Sequence, residues 1–90
     1  MPWDWDDDKA RVNIRKHKVP FELAIRVFQD PLHSSVEDDH ETEERWKTIG
    51  QVQNHILIVI HTASTDEVPG RIISARKATR HERRLYEEAT

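Results

Sequence analysis

The spacing of apolar residues changes character near Arg45, and that change constrains what this chain can fold into more than any other feature. Upstream of it, apolar side chains recur three or four positions apart, the repeat of a helix that hides one stripe; downstream they alternate or form short runs rich in β-branched residues, the pattern of strands. Ala10, Ile14 and His17 share one face of a first helix, which Asp6 or Asp7 is placed to cap and which runs to about His17. Pro20 suits the opening turn of a second helix, whose stripe of Phe21, Ala24, Ile25 and Phe28 ends at Asp30-Pro31. Trp3 and Trp5 are expected to close over the first helix.

Leu32 to Val36 reads as a short strand, and the acidic stretch Glu37 to Glu44 as a solvated turn, because so much like charge resists packing. Arg45 to Gly50, His55 to Thr62 and Arg71 to Arg76 follow as strands whose short connections favour antiparallel hairpins. A last helix spans Arg80 to Glu88, with Thr79 and Glu82 spaced for a capping box. The expected class is α+β in one domain over residues 1–90: two N-terminal helices, an antiparallel sheet of about four strands and a C-terminal helix.

A chain of 90 residues has room for one modest core. It has no cysteine, so a disulfide framework, a thiolate metal site and a sulfur nucleophile are all excluded. The longest apolar run, Ile56 to Ile60, is too short to cross a bilayer, and the N-terminus lacks the basic and apolar regions of an export signal. A cytoplasmic protein with no membrane partner is expected. His33 and His40 flank acidic sequence, but neither HExxH nor a comparable ligand spacing is present, so no metal and no cofactor is expected.

The net charge of −3 conceals an uneven distribution. Acids crowd the N-terminus and the stretch from Glu37 to Glu44, whereas Arg71, Arg76, Lys77, Arg80, Arg83 and Arg84 are opposed within their segment only by Glu82. A hairpin register symmetric about its turns sets Gly50 opposite Ile56 and His61 opposite Arg71. One face then carries Trp46, Thr48, Ile56, Ile58, Ile60, Ile72 and Ser74 as the core. The other carries Ile49, Leu57, Val59, Ile73 and Ala75, with Arg45, His61 and Arg71 meeting at one end beside Lys47. A slip of one residue moves Arg71 to the core side, brings Ile72 across from His61 and lets Arg76 join it.

Clustered cations persist where an anion uses them or where acids of the preceding loop fold back over them. RNA phosphate suits them. Cleavage through the substrate's own 2′-hydroxyl needs a general base, a cationic group for the developing phosphorane charge and an acid for the leaving oxygen. His61 has the pKa range for base or acid. Arg45 and Arg71 have the fork that pairs with phosphate oxygens, and Arg76, Lys77 and Arg80 suit the flanking backbone. Trp46 or Tyr86 offers a ring for a base if exposed. Other readings stand beside these: His61 as a half-buried strand-end histidine, Arg45 and Arg71 paired with Glu43, Glu44 or Asp66, Trp46 as core, and the last helix as a solvated face with Arg83–Glu87 and Arg84–Glu88 pairs. A second function is a non-enzymatic binding module whose exposed Leu57, Val59 and Ile73 receive a partner.

Several motifs occur together in order: Trp3-Asp4-Trp5-Asp6 with Lys9 and Asn13, Arg15-Lys16-His17, Ala24-Ile25-Arg26-Val27-Phe28-Gln29-Asp30-Pro31, Glu44-Arg45-Trp46, Val59-Ile60-His61-Thr62, and Arg71 through Thr79 leading to Glu82 and Tyr86. In these the chain resembles the BrnT toxin family along nearly its whole length. The resemblance implies a RelE-like fold and a metal-independent endoribonuclease that halts translation. It also implies neutralisation by a BrnA-like ribbon-helix-helix antitoxin in a 2:2 heterotetramer that binds operator DNA through the antitoxin. Arg45, His61, Arg71 and Arg76 lie inside matching segments and are the implied catalytic candidates; Trp46, Lys47, Lys77, Arg80 and Tyr86 are the RNA-binding ones.

Overall fold

The computed structural model describes residues 3–38 and 43–89. Asp6 accepts hydrogen bonds from the Asp8 and Lys9 amides at 2.8 and 3.1 Å and starts helix α1 (Asp7–His17). Asp7 and Asp8 sit at its positive end and Arg15, Lys16 and His17 at its negative end, each favourable to the helix dipole. Pro20 opens α2 (Phe21–Ala24), which tightens into a 3₁₀ segment over Ile25–Gln29. Helix α3 (Arg80–Glu88) begins with the expected capping box of Thr79 and Glu82.

The strands β1 (Trp3–Asp4), β2 (Ser34–Asp38), β3 (Arg45–Val52), β4 (His55–His61) and β5 (Gly70–Lys77) form one sheet in the order β1-β5-β4-β3-β2. Strands β2 to β5 make the antiparallel meander the short connections favour, while β1 runs parallel to β5, so the sheet is mixed and has five strands. The additional strand exists because Trp3 anchors it: its ring stacks on Phe28 at 4.2 Å and lies flat over Gly70, where any Cβ would fall 2.3 Å from the indole. Trp3 and Trp5 therefore pack on Phe28 and Phe21 rather than over α1. Strand β2 begins and ends two residues later than expected, drawing Glu37 and Asp38 into the ladder. His40 of the acidic stretch lies outside the described residues.

Helix α1 turns a different face inward from the one its apolar spacing suggested. Ile14 is 43% exposed and His17 is exposed, whereas Asn13 is buried. Its side-chain amide donates to the carbonyls of Ala75 (2.8 Å) and Val19 (2.9 Å) and accepts from the Ala75 amide (3.1 Å). Beyond the two residues of β1, the edge of β5 is thus satisfied by a side chain acting as a strand does. Asn13→Ala is expected to lower stability by about 2 to 4 kcal/mol, through the buried backbone groups it orphans. Denaturant unfolding checks this, with a cost under about 1 kcal/mol counting against the anchoring role.

The register differs from the symmetric expectation in both hairpins, by one residue next to each turn and by two in the second hairpin beyond the extra residue Ile73. Val52 pairs with His55 across a two-residue loop whose first member, Gln53, has φ 56°, so Gly50 faces Leu57 and not Ile56. Such tight loops suit the twist of the strands they join. In the second hairpin His61 faces Ile72 and not Arg71, and Ile73 is an extra residue without a partner on β4. Both shifts turn β4 over. Leu57, Val59 and His61 face the core of Val19, Phe21, Ala24 and Val27, while Ile56, Ile58 and Ile60 face the other side of the sheet. The apolar patch expected to receive a partner is accordingly core: Leu57 and Val59 are 1% and 0% exposed, and Ile73 is half-buried beside α1.

Candidate functional site

The face of the sheet away from the N-terminal helices, covered in part by α3, collects the cations. Arg45 and Lys47 share it along β3, and the extra residue Ile73 interrupts the alternation of β5, so that Arg71 and Arg76, five positions apart, both lie there too. Glu43, just before β3, bridges two of them: Arg45 Nε donates to its Oε1 at 3.1 Å and Arg71 Nη2 to its Oε2 at 3.0 Å. One carboxylate is thus held between guanidinium groups from the two strands that flank β4. The hydrogen bond from Arg45, and then the charge of Arg71, hold the Glu43 carboxyl below its ordinary range, so it is ionised at neutral pH. Of the two readings of Arg45 and Arg71, the structure shows the pairing with Glu43.

Arg76 makes a forked pair with Glu82 of α3 at 2.7 and 2.9 Å, and Glu82 also accepts from the Thr79 amide at 2.8 Å. The Arg76 hydrogen bond, with help from the Thr79 amide, holds the Glu82 carboxyl at about 2. Lys47 is half-buried and meets no carboxylate among the described residues.

His61 stands apart from this cluster, on the opposite face and 5% exposed. Its ring lies edge-on to Trp3 and to Phe28, with centroids 5.0 Å away in each case. Nδ1 is 2.8 Å from the Thr62 carbonyl, which can only accept, so the proton sits on Nδ1 and Nε2 accepts from the Thr48 hydroxyl at 2.6 Å. Thr48 in turn takes the Ser35 hydroxyl at 2.6 Å. Burial pushes the imidazole pKa below its ordinary 6.5. The unfolded chain therefore binds a proton that the folded one resists, and stability, complete above pH 6.5, falls as the pH drops toward the folded-state value. Melting temperatures at pH 7.5 and 5.5 are expected to differ for the wild type and to draw together in His61→Gln. Glu43, Asp30 and Glu82, all with lowered pKa values, lose their contributions only in more acidic solution.

The family model described as "Ribonuclease toxin, BrnT, of type II toxin-antitoxin system" matches residues 5–82. The chain belongs to the BrnT toxin family. No curated protein matches it. A BrnT protein is one half of a type II toxin–antitoxin pair, so an antitoxin is its partner, and the family is one of ribonuclease toxins. Glu43, Arg45, Lys47, Arg71 and Arg76 all fall within the matched residues.

The remaining candidates scatter around this BrnT fold. Trp46, half-buried, shares the inner face with His61, and Lys77, exposed, pairs with Leu57 on that same face. Arg80 is exposed at the start of α3. Tyr86 is 7% exposed and donates its hydroxyl to Asp30, which also accepts from the Leu32 and Gln51 amides at 2.9 and 2.8 Å. Burial and the Asp30 bond push the phenol up to about 12, so Tyr86 ties α3 to the turn before β2 and offers no free ring for a base. His33 is exposed, with Nδ1 at 2.7 Å from the Asp30 carbonyl. Among the described residues no helix is long and apolar enough to cross a membrane.

Sequence reasoning named Glu43 only as one of three possible ion-pair partners. The signal available was its place two residues before Arg45, at the mouth of a strand, where a carboxylate shares the face of the arginine. Asp30, which organises three elements, is visible in the sequence only as a helix stop.

Proposed function

We propose that the chain is a metal-independent endoribonuclease of RelE-like type that cuts RNA in the cytoplasm and thereby arrests translation. The observation that carries this reading is the pair of guanidinium groups from β3 and β5 held around one ionised carboxylate on an open face. Arg45 and Arg71 take the scissile phosphate on their remaining N–H groups and stabilise the charge that builds on its oxygens. Glu43 takes the proton of the neighbouring 2′-hydroxyl. Its low pKa in the free protein is raised when the phosphate's negative charge arrives and competes for the arginines, which improves it as a base. The 2′-oxygen bonds to phosphorus, the bond to the 5′-oxygen breaks, and that oxygen leaves with a proton from solvent, giving a 2′,3′-cyclic phosphate and a 5′-hydroxyl end.

Lys47, Arg76 and Arg80 bind the flanking backbone, and His61 is a positioning residue. Its bond to the Thr62 carbonyl fixes the residue whose hydroxyl takes the Arg71 amide at 2.8 Å, so the imidazole sets the strand end that presents Arg71. A BrnA-like ribbon-helix-helix antitoxin neutralises the toxin in a 2:2 heterotetramer and carries it to operator DNA. The test is cleavage of RNA by the purified protein in excess chelator, with end-group analysis of the products. Cyclic phosphate ends, and resistance of a strand carrying 2′-deoxyribose at the cut site, are expected. Chelator-sensitive cleavage or 5′-phosphate ends contradict the mechanism.

A further inference from the structure

The outer face holds a second feature besides the arginine pair. A groove of about 260 Å³ runs between strands β2 and β3 and helix α3, walled by Val36, Ile49, Ile58 and Leu85. Val36 and Leu85 stand 52% and 53% exposed along it. Exposed aliphatic side chains gathered along a groove gain free energy when apolar surface covers them.

The walls also indicate what kind of occupant fits. They are aliphatic, and the one aromatic residue among them, Tyr86, is fixed by its bond to Asp30. A nucleobase seeks a free aromatic face and polar edges, whereas Leu, Ile or Val side chains of a protein match this lining. Two charged residues touch the groove. Glu82 is already neutralised by the fork from Arg76, which leaves the ammonium of Lys47, half-buried and without a carboxylate among the described residues. The groove therefore selects an apolar segment that carries an acid. An apolar groove between a helix and a sheet can receive the apolar face of an amphipathic helix, with anchors three and four residues apart.

We propose that this groove docks an acidic amphipathic helix of the antitoxin, its apolar side chains seated on Val36, Ile49, Ile58 and Leu85 and a carboxylate on Lys47 Nζ. The inference rests on the toxin reading above and specifies how that toxin is silenced. Lys47 lies two residues from Arg45 on the same face of β3, so the docked helix reaches the arginine pair, and a second carboxylate from it excludes the RNA phosphate. Neutralisation is then competition at the clamp, secured by apolar contacts outside it.

The experiment uses the full chain and the purified antitoxin encoded alongside it. Val36→Asp on the edge strand and Leu85→Asp on α3 alter groove walls that take no part in the chemistry, and thermal melts establish that each variant folds. Each is expected to weaken antitoxin binding by at least about 30-fold, the loss typical of a residue central to an interface, while RNA cleavage stays at the wild-type rate. A photo-cross-linking residue at position 36 is expected to capture the antitoxin. Undiminished binding by both folded variants overturns the proposal, and so does loss of cleavage with binding intact, which makes the groove an RNA subsite. Failure of the wild type to cut RNA speaks against the ribonuclease reading alone, because the binding comparison still decides the groove.

Discussion

Replacing Arg45 and Arg71 together by alanine is expected to slow RNA cleavage by at least about a thousandfold while the protein still folds. In the proposed mechanism each guanidinium donates to the position where negative charge builds in the transition state, and removal of one such donor typically costs about 10²- to 10³-fold. The two act on one phosphate, so the double loss is smaller than the product of the single ones. Arg45 is half-buried and Arg71 exposed, and both ion pairs run to a carboxylate that solvent reaches, so little stability depends on them. Glu43→Gln keeps the shape and removes the base, and is expected to lose about 10²- to 10⁴-fold in rate. Single-turnover cleavage with circular dichroism on the same samples checks all three variants. Cleavage within tenfold of wild type by the folded double variant places the chemistry elsewhere.

The second large effect concerns the core that sets the sheet in place. Phe21→Ala is expected to cost about 3 to 5 kcal/mol, because the ring is fully buried and its removal leaves a cavity in the core. It opens α2 after Pro20, lies edge-on to Trp5 at 5.9 Å, and belongs to the cluster that packs on Leu57, Val59 and Ala75. A small domain has only about 5 to 15 kcal/mol to lose, so the melting temperature is expected to fall by roughly 15 to 30 °C. A drop of under about 5 °C means that the N-terminal helices contribute little to holding the sheet.

These two effects mark where the sequence was legible and where it was not. The helices were visible because Asp6, Pro20 and the Thr79–Glu82 pair are local signals, each acting within one turn. The strands were visible because β-branched residues cluster in them. The orientation of β4 was not. In Ile56 to Ile60 both alternating sets are apolar, and the structure explains why: Leu57 and Val59 pack under the N-terminal helices, while Ile58, 2% exposed, is covered on the other side by α3. A strand buried on both faces carries no alternation to say which way it points.

The turns that set its register were equally silent. Gln53-Asn54 lacks the glycine that usually marks a two-residue loop, and nothing in Arg71-Ile72-Ile73 announces an extra residue. One shift moved His61 from the expected cluster to the interior, since a single-residue slip exchanges the faces of a strand. Of the expected trio only Arg45 and Arg71 meet at one end of the sheet, because β3 and β5 each keep the expected face there. Asn13 escapes notice for a different reason: apolar periodicity cannot register an amide whose worth lies in three hydrogen bonds to backbone groups, one on Val19 and two on Ala75 far along the chain.

On the proposed reading, the pairing of Arg45 and Arg71 around an acid is what lets a chain of net charge −3 address RNA. Local potential at a cluster, and not the sum over the molecule, governs where a phosphate settles. The acids of the N-terminus lie on other elements, and Glu82 and Glu43 are each held by the cations they neighbour.

The most direct measurement is a crystal structure of the protein with a dinucleotide made uncleavable by a 2′-methoxy group at the first sugar. The phosphate is expected within hydrogen-bond reach of both Arg45 and Arg71, with the methoxy oxygen beside Glu43 and His61 unmoved beneath Trp3. A phosphate bound at the arginines of α3, or a nucleotide against His61 with the Arg45–Glu43–Arg71 bridge intact, contradicts the account.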